Sequence, residues 1–424
     1  MRVLIAGVSG FIGAHLARAC LAAGHEVIGV SRHPPDGLPG LRHLPLDYTA
    51  PPPVETLARA LEGIDVVVNA VGILRPRGAQ TFEALHFRGP RLLFAAAATA
   101  RVRRIIQVSA LGAEPQAWSE YHRSKSEADR TLMASSLDWV VAMPSLVYGP
   151  GGSSAGLFNM LASLPLTPLP AGGMQRVQPV HIDDVTAGLM KLIESPVEMR
   201  CVLPMVGPVP LTLAEFLRAL RTTLGFRPAL ALTVPRPLIA AAAWLGDYLP
   251  GAFLSRETFG MLERGNTGDP APFTRLLGRS PLPVQGFVDP VDRPRAHREA
   301  VLTWTVPLLR LAVAFMWLIA GVVSLAPGSF GHSLGLLHQV GVPASIAPLM
   351  LGGAAGLDLT LGLLTLVPRR LPFIWGAQIL LVLVYTAIIS LYLPALWLEP
   401  FGPVAKNVPI LALLLLLWQL EPRR

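Results

Sequence analysis

The stretch VLIAGVSGFIGAHLA, residues 3–17, places an apolar run directly before three glycines at three-residue spacing. The apolar run predicts a buried parallel strand, and the spacing of apolar residues over 12–23 predicts a helix that begins among the glycines. In such a unit Gly7 permits a tight turn, Gly10 lets the backbone approach a pyrophosphate, and Gly13 lets the helix pack on the strand. The stretch therefore predicts an α/β fold that binds a dinucleotide.

The same alternation of strand and helix continues downstream. Short apolar runs bounded by turn residues predict strands, and a longer segment with helical spacing predicts a helix between two of them. The predicted strands are 2–6, 26–30, 65–70, 104–108 and 138–143, and the predicted helical segment is 82–100. Parallel strands need helical crossovers of this kind, so the sequence predicts a doubly wound parallel sheet of the Rossmann class.

The composition changes after about Arg298, where Arg-rich sequence gives way to long apolar segments. Four such segments follow in succession: 306–325, 346–367, 373–393 and 404–420. Each approaches the ~20 residues that a helix needs to span the hydrocarbon of a bilayer. The alternative, four buried helices of a soluble domain, fits poorly with so few charges between the segments. The sequence therefore predicts an all-α bundle of four transmembrane helices, with the lipid bilayer as its partner.

Basic residues fall on one side of this bundle, and the two opposite loops carry few charges. The basic residues lie before the first span, between the second and third, and after the fourth: Arg293, Arg295, Arg298, Arg369, Arg370, Arg423 and Arg424. Cytoplasmic loops carry such an excess of basic residues. The first apolar stretch breaks at Gly7 and is too short for a secretory signal. We therefore expect a multi-pass protein of the cell (inner) membrane with both termini in the cytoplasm.

Other classes of function find little support in the composition. The net charge is +8, from 35 basic and 27 acidic residues, but no basic stripe alternates with aromatic residues. Nucleic acid is therefore not an expected partner. The two cysteines have no metal-ligand spacing and are expected to be small buried residues, and two histidines in one loop, His332 and His338, do not make a metal site. No metal is expected.

The segment that follows the second strand bears on the choice of cofactor. An acidic residue there would accept a hydrogen bond from the ribose 2′-hydroxyl of NAD. This sequence has GVSRHP instead, with Ser31 and Arg32 and no acid. Arg32 could pair with a 2′-phosphate, which favours NADP(H) and leaves NAD(H) open. The alternative is that Arg32 is a solvated loop residue.

A Tyr-x-x-x-Lys pair supplies the candidate catalytic groups. Tyr121 and Lys125 stand four residues apart, which puts both on one face of a helix. A neighbouring ammonium favours the tyrosinate, so Tyr121 is expected to exchange a proton near neutral pH. Ser109, at the end of a predicted strand, is expected to hold a substrate oxygen. The alternative is a structural Tyr and Lys in a domain that binds nucleotide without turnover.

Residues up to about Leu232 resemble the short-chain dehydrogenase/reductase family. The resemblance rests on the glycine pattern and on LPLDYT, VVNAVGIL, IIQVSALGA and YHRSK, while PSLVYGPGG and VQPVHIDDVTAGL are similar to the extended and atypical branches. The segment from VPRPLI to GNTGD resembles the atypical branch that includes an accessory subunit of respiratory complex I. His86 stands where the extended branch usually has Asn. If that Asn orders the water of a proton relay, the relay is altered here, and His86 could either substitute for the Asn or simply pack.

The resemblance also implies roles for individual residues and a division of the chain. Asp47 would touch the adenine, and residues 70–72 would line the ribose side. The expected cofactor contacts are Gly7, Gly10, Phe11, Ile12, Gly13, Ser31, Arg32, Asp47, Asn69, Ala70, Val71, Gly72, Tyr121 and Lys125, and the expected catalytic residues are Ser109, Tyr121 and Lys125. The stretches GLDLTLGLLTL, YTAIIS and EPFGPVAKNVPIL are similar to DoxX-like four-helix membrane domains. The expected domains are an NAD(P)-binding domain, 1–232, a small subdomain with linker, 233–304, and this membrane domain, 305–424.

Two hypotheses for function follow. The first is a membrane-anchored NAD(P)(H)-dependent oxidoreductase or epimerase that acts on an apolar lipid, isoprenoid or quinone-like substrate. The second is a non-catalytic NADPH-binding sensor or assembly factor with a membrane complex as its partner. Asp358, an ionisable residue inside the second span, is either functional or ties helices together. The apolar segment 235–254 could lie on a membrane surface, cover a cleft, or pack as an ordinary helix.

Overall fold

The computed structural model describes residues 1–249, 254–367, 371–400 and 402–421. The chain falls into two compact units, Met1–Ala300 and Val301–Arg424. The finer division at residue 232, expected from the resemblance, stays a prediction.

Short strands are distributed over the first unit. In chain order, the described residues form β1 Arg2–Ala6, β2 Glu26–Ser31, β3 Arg42–Pro45, β4 Val66–Asn69, β5 Arg104–Val108, β6 Asp138–Pro144, β7 Val147–Tyr148, β8 Leu166–Pro170, β9 Arg176–Val177, β10 Val180–His181, β11 Arg200–Met205, β12 Leu211–Thr212 and β13 Leu230–Val234.

Helices separate these strands and then form the whole second unit. In chain order they are α1 Phe11–Ala22, α2 Val54–Ala60, α3 Gly89–Thr99, α4 Glu120–Met133, α5 Ser153–Ser163, α6 Ile182–Glu194, α7 Leu213–Thr223, α8 Arg236–Tyr248, α9 Arg256–Arg264, α10 Ala271–Leu277, α11 Arg293–Leu325, α12 Pro327–Gln339, α13 Ala347–Leu366, α14 Pro372–Tyr392 and α15 Asn407–Leu420. Short turns of other helix types are Glu83–Arg88, Ala171–Gly173, Val284–Gly286 and Pro394–Trp397.

Seven strands make one parallel sheet in the order β11-β6-β5-β4-β1-β2-β3. Apolar clusters cover both faces, so the sheet is buried between two layers of helices. This is the doubly wound fold that the sequence predicts, and β1 and β5 have the predicted bounds. The sequence missed β3 and β11, which are the two edge strands. Edge strands are short or half-exposed and lack the apolar run that identifies a central strand.

The helical segment predicted over 82–100 is divided into a π-helical turn, Glu83–Arg88, and the α-helix α3. The π-helical turn carries His86. π-helical turns are rare in proteins, and those that occur are often found at functional sites. The turn therefore sets where His86 points.

The second unit contains three helices that are long and apolar enough to cross a membrane, within the described part of the chain: Arg293–Leu325, Ala347–Leu366 and Phe373–Tyr392. The fourth predicted span corresponds to α15, which has 14 residues. At 1.5 Å per residue it extends about 21 Å, less than the ~30 Å hydrocarbon core. Helix α12 lies between the first two spans and was not predicted. The residues 369, 370, 423 and 424, on which the predicted orientation partly rests, lie outside the described residues.

Small residues allow the helices of this unit to approach one another. A Cβ added to Gly321 would lie 2.9 Å from the carbonyl oxygen of Ala355, and one added to Gly362 would lie 3.1 Å from that of Ala314. Small residues at helix interfaces are typical of membrane bundles, where close backbone packing takes the place of the hydrophobic effect. The unit is therefore built as a membrane bundle, as the sequence predicts.

Candidate cofactor and active site

The glycine turn between β1 and α1 has the geometry that close approach of a ligand requires. Gly7 has a φ of +81°, and a Cβ on it would lie 2.9 Å from the backbone of Ala70. A Cβ on Gly13 would overlap the carbonyl oxygen of Gly7. Both positions therefore exclude other residues for steric reasons, as the sequence predicts. The N-cap residue of α1, Gly10, makes no side-chain cap hydrogen bond, which suits an N-terminus that binds an anion.

A cleft of about 680 Å³, open to solvent, lies along the carboxyl ends of the strands beside this turn. Eight of the expected cofactor contacts line it: Gly7, Gly10, Ser31, Arg32, Asp47, Ala70, Val71 and Gly72. The remaining lining residues were not expected: Ser9, Val30, Leu46, Tyr48, Ile73, Gln80 and Leu85. Six expected contacts are not among the lining residues: Phe11, Ile12, Gly13, Asn69, Tyr121 and Lys125. The expected residues that line the cleft come from the glycine turn and the strand ends, whereas the lining residues between 73 and 85 were not expected.

Arg32 and Asp47 stand at one end of this cleft. With the Gln80 amide oriented so that its oxygen faces Arg32, that oxygen accepts hydrogen bonds from the guanidinium at 2.5 and 3.1 Å. Asp47 accepts bonds of 2.8 Å from both the backbone N–H and the hydroxyl of Thr49. These bonds, with the positive charge of Arg32, hold the pKa of Asp47 below its usual value. This end of the cleft therefore presents one cation and one anion.

Lys125 lies directly behind the cleft wall. Its Nζ donates to the carbonyl oxygens of Val71 at 3.0 Å and Val108 at 3.1 Å, and a Cβ on Gly72 would lie 3.1 Å from it. Burial lowers the pKa of Lys125 to about 8, although the negative charge of Asp129 acts in the opposite direction. Glycine at position 72 therefore separates the ammonium from the cleft by backbone alone.

A buried carboxyl group, Asp129, was missed by the sequence analysis. Ser109 donates its hydroxyl hydrogen to Asp129, and the Gln107 side chain also interacts with this carboxyl group. Burial raises the pKa of Asp129 to about 6, against the opposing effects of the Ser109 bond and of Lys125. Tyr121, Lys125 and Asp129 follow one another at four-residue spacing on α4. That spacing was the available signal, because it places all three on one face of the helix.

His86 is held between backbone and side-chain partners. The backbone N–H of Ile73 donates to its Nε2 at 3.0 Å, so the ring hydrogen is on Nδ1, which donates to Ser124 Oγ at 2.8 Å. Ser124 in turn donates to the carbonyl oxygen of Tyr121 at 2.8 Å. Burial, reinforced by Lys125, lowers the pKa of His86 to about 2. His86 is therefore a neutral ring that ties the cleft wall to α4.

Tyr121 packs among aromatic rings, with the His86 ring at 5.6 Å and the Phe82 ring at 6.3 Å between centroids. Burial raises the pKa of Tyr121 to about 12, and the negative charge of Asp129 adds to the effect. Lys125 is not among the groups that shift this pKa here, so the expectation that it lowers the pKa of Tyr121 stays a prediction. The expectation considered one neighbouring charge and not the apolar surroundings or the carboxylate one turn further on.

Three other expectations can be placed. Asn69 is fully buried and donates to Gln107 at 2.7 Å, so it braces two strands. Cys20 is buried as expected, but Cys201 is exposed on an edge strand. Across residues 1–249, 254–367, 371–400 and 402–421 there is no group of His, Cys, Asp and Glu side chains that could hold a metal ion.

Comparison with protein families gives two matches. Residues 7–156 match the family described as NAD(P)H-binding, and residues 314–415 match the DoxX-like family. The first match contains the glycine turn, the cleft and helix α4. The second lies within the helical unit.

Comparison with individual proteins agrees with the first match. The chain is 28% identical over 306 residues to a ceramide reductase of Caulobacter vibrioides, covering 69% of this chain and 94% of that protein. It is 26% identical over 327 residues to sterol demethylase protein B of Methylococcus capsulatus, covering 69% and 97%. Among solved structures, MoeE5 in complex with UDP-glucuronic acid and NAD superposes with a TM-score of 0.54 at 21% identity, covering 70% of this chain and 99% of that one, which shows a shared fold.

The cleft, the glycine turn and the family match indicate an NAD(P)-binding fold, and the similar proteins include reductases. The DoxX-like match and three apolar helices indicate a membrane protein. The chain thus joins an NAD(P)-binding Rossmann domain, similar to short-chain dehydrogenases, to a DoxX-like C-terminal domain.

Proposed function

We propose that the protein is a membrane-bound NAD(P)(H)-dependent oxidoreductase that interconverts a carbonyl and a hydroxyl group on an apolar, lipid-like substrate. The observation that carries the proposal is the position of Lys125, which stands behind Gly72 at the cleft wall on the same helix as Tyr121. Support for an apolar substrate comes from the candidate membrane spans and from two relatives whose names refer to a ceramide and a sterol.

The residues around the cleft fit a dinucleotide. The turn at Gly7 and Gly10 leaves the helix N-terminus open to a pyrophosphate. When bound, a reduced nicotinamide supplies a hydride to the carbonyl carbon of the substrate. Tyr121 donates the proton that the carbonyl oxygen needs to become a hydroxyl, and it takes that proton back when the reaction runs in the other direction.

Lys125 and Ser109 assist this proton transfer. Approach of the Lys125 ammonium to the ribose and to Tyr121 would favour the tyrosinate, against the burial that now raises its pKa. Ser109 gives its only hydrogen to Asp129, so its oxygen accepts hydrogen bonds and positions a substrate hydroxyl. An epimerase would use the same residues with the hydride returned to the opposite face of the substrate carbon.

NADP(H) is the cofactor that we propose. Ser31 and Arg32 stand at the end of β2, where NAD-binding proteins carry an acid, and Gln80 orients the guanidinium of Arg32. A guanidinium in this place pairs with a 2′-phosphate.

A second function, nucleotide binding without turnover by a sensor or assembly factor of a membrane complex, is favoured by a separate observation. The groups that would serve catalysis already have protein partners: Lys125 binds two carbonyl oxygens, and Ser109 binds Asp129. His86, in place of the Asn of the extended branch, is likewise bonded at both ring nitrogens.

The two functions are separated by comparing Tyr121→Phe with Gly10→Asp in a strain that lacks the gene. Tyr121→Phe removes one hydroxyl and keeps the ring, whereas Gly10→Asp blocks the pyrophosphate. The enzyme requires that neither variant restores the phenotype. Restoration by Tyr121→Phe together with failure of Gly10→Asp would replace the enzyme by the sensor.

The direct assay uses the full-length protein in lipid nanodiscs, with NADPH and ketone derivatives of a ceramide and of a sterol. We expect consumption of NADPH by the wild type and none by Tyr121→Phe at equal NADPH binding.

The proposed topology, with both termini cytoplasmic, is checked by a reporter fused after Arg424. Activity of a reporter that works only outside the cytoplasm would overturn it.

A further inference from the structure

We propose that helix α8, Arg236–Tyr248, docks the first unit on the bilayer surface beside the mouth of the cleft. This goes beyond the proposed function, because it assigns a lipid-binding surface to a segment outside the candidate spans. The docking itself does not depend on catalysis. Its consequence for substrate entry does rest on the proposed function.

Helix α8 has one packed face and one exposed apolar face. Its buried residues are Ala243 and Gly246. The exposed side, here called the α8 face, consists of Leu238, Ala241, Ala242, Trp244, Leu245 and Tyr248, and its four large side chains are 52–67% exposed. At 100° per residue the α8 face covers about 160° of the helix, opposite the packed side. An exposed apolar surface of this kind marks an interaction site.

The charged residues of α8 lie away from this face and are neutralised. Arg236 pairs with Glu263 at 2.6 Å, and Asp247 forms an ion pair with Arg256. Both acids are largely covered, with side chains 25% and 24% exposed, while both guanidinium groups extend into solvent. The α8 face is therefore free of charge, and the guanidinium groups of the two ion pairs lie outside it.

The composition and the connection of the chain identify the bilayer as the occupant. Trp244 and Tyr248 pack edge to face at 5.3 Å on this surface, and these two residue types are enriched at membrane–water interfaces. The first unit ends at Ala300, inside α11, a helix that also meets the length and hydropathy of a membrane span. A span in the same chain keeps a bilayer close to the unit, so a modest apolar face is enough for a second anchor.

Helix α8 contacts segments that lead to the proposed active site, through its packed side and through the neighbouring helix α9. Arg75 Nη1 donates to the carbonyl oxygen of Gly246 at 3.2 Å, and Arg75 follows Ile73, which lines the cleft. Glu257, on the helix that packs against α8, accepts a bond of 2.9 Å from the backbone N–H of Tyr121. A lipid that enters beside α8 would therefore reach Tyr121 without crossing bulk water, provided the proposed function holds.

The test places a nitroxide on the α8 face of the full-length protein. Leu245→Cys and, as a matched control, Val197→Cys are each made with Cys201→Ser and labelled in nanodiscs of phosphatidylethanolamine and phosphatidylglycerol. Val197 is also exposed and apolar. Its carbonyl oxygen accepts a hydrogen bond from Arg104 at the amino end of β5, whereas the cleft lies at the carboxyl ends of the strands. Accessibility to oxygen and to a water-soluble nickel chelate then reports depth.

We expect the label at 245 to sit about 5–10 Å below the headgroups, as interfacial helices do, and the label at 197 to be aqueous. Equal aqueous accessibility at both positions would overturn the proposal. Protection of position 245 from both reagents would overturn it as well, because the α8 face would then be covered by protein, either the second unit or another copy.

A second variant separates docking from catalysis. Leu245→Glu should leave NADPH affinity unchanged and lower turnover of a ketone lipid in nanodiscs about tenfold, with little change for the same lipid in detergent micelles. Insertion of the label at 245 without any turnover would support docking and refute the enzyme. Equal turnover of Leu245→Glu and wild type in nanodiscs would refute the entry route.

Discussion

Both units bury polar side chains, but they do so in different ways. In the first unit the buried cluster is charged: Lys125 and Asp129 lie on one helix behind the cleft, with Ser109 bound to the carboxylate. In the second unit the cluster is neutral: the indole N–H of Trp317 donates to Gln378 at 2.9 Å, and Gln378 donates to Thr365 at 2.9 Å.

The difference follows from what each environment permits. A charge beside a solvent-open cleft can have its pKa adjusted by burial and neighbours, which is what acid–base chemistry needs. Within a membrane bundle, neutral hydrogen bonds join helices at a lower desolvation cost than charges. Asp358 is the exception: it is 6% exposed in α13, and one of its oxygens finds no partner among the described residues. Both predicted roles of Asp358, a function within the membrane and the joining of helices, stay predictions.

The largest effect is expected for the charged cluster. Lys125→Met removes the ammonium, so turnover should fall by about 10²–10⁴ and cofactor affinity should fall with it. The measurements are NADPH consumption and NADPH binding in the same nanodiscs. Tyr121→Phe is the matched control, because it should lose turnover and keep affinity. Wild-type affinity of Lys125→Met would remove Lys125 from the cofactor site.

The next effect concerns the end of the cleft where Arg32 and Asp47 stand. Arg32→Asp should weaken NADPH by about ten- to a hundred-fold and NADH much less, because a charge-assisted contact is lost and a repulsion is added. Titration of both cofactors by fluorescence measures the ratio. Arg18→Asp, on the exposed side of α1, is the control for net charge. Equal losses for the two cofactors would show that Arg32 does not read the 2′-phosphate.

A smaller effect tests the coupling within the charged cluster. Burial lowers the pKa of Lys125 to about 8 and Asp129 opposes this, so cofactor affinity should decline as pH rises through about 8. Asp129→Asn removes the opposing charge and lowers the pKa of Lys125 further, so the decline should begin at lower pH. NADPH affinity over a pH series gives the midpoint. Ser109→Ala keeps the carboxyl group but raises its pKa by removing a hydrogen bond, so its midpoint should shift less than that of Asp129→Asn. An unchanged midpoint in Asp129→Asn would contradict the coupling.

The smallest effect is expected for the neutral cluster. Gln378→Leu breaks two interhelical bonds, each worth roughly 0.6 kcal/mol in a membrane protein, so thermal stability should fall slightly while turnover and NADPH affinity persist. Leu380→Ala, at a 63% exposed position of the same helix, is the control. A large loss of turnover at unchanged thermal stability would give the neutral cluster a functional role and end the contrast between the units.

Local sequence was enough to predict the central strands, the glycine turn and the existence of the membrane unit. It was not enough for β3 and β11, which become strands because a neighbouring strand offers hydrogen bonds at the sheet edge. Nor did it find Gln80 and Tyr48 in the cleft wall, since these residues come from loops whose path depends on the rest of the fold.

The glycine turn was largely determined by the sequence itself, because the positive φ of Gly7 and the close contact of Gly13 with Gly7 arise between residues that are near in the chain. The contact of Gly7 with the backbone of Ala70 comes from the tertiary structure. The length and hydropathy of the apolar segments likewise determined that helices would follow. Only the tertiary structure decided which groups lie near Lys125 and that Ser109 donates its hydrogen bond to Asp129. It also decided that burial raises the pKa of Tyr121. Hydrogen-bond partners and desolvation depend on segments far apart in the chain, and a linear pattern of residues does not contain them.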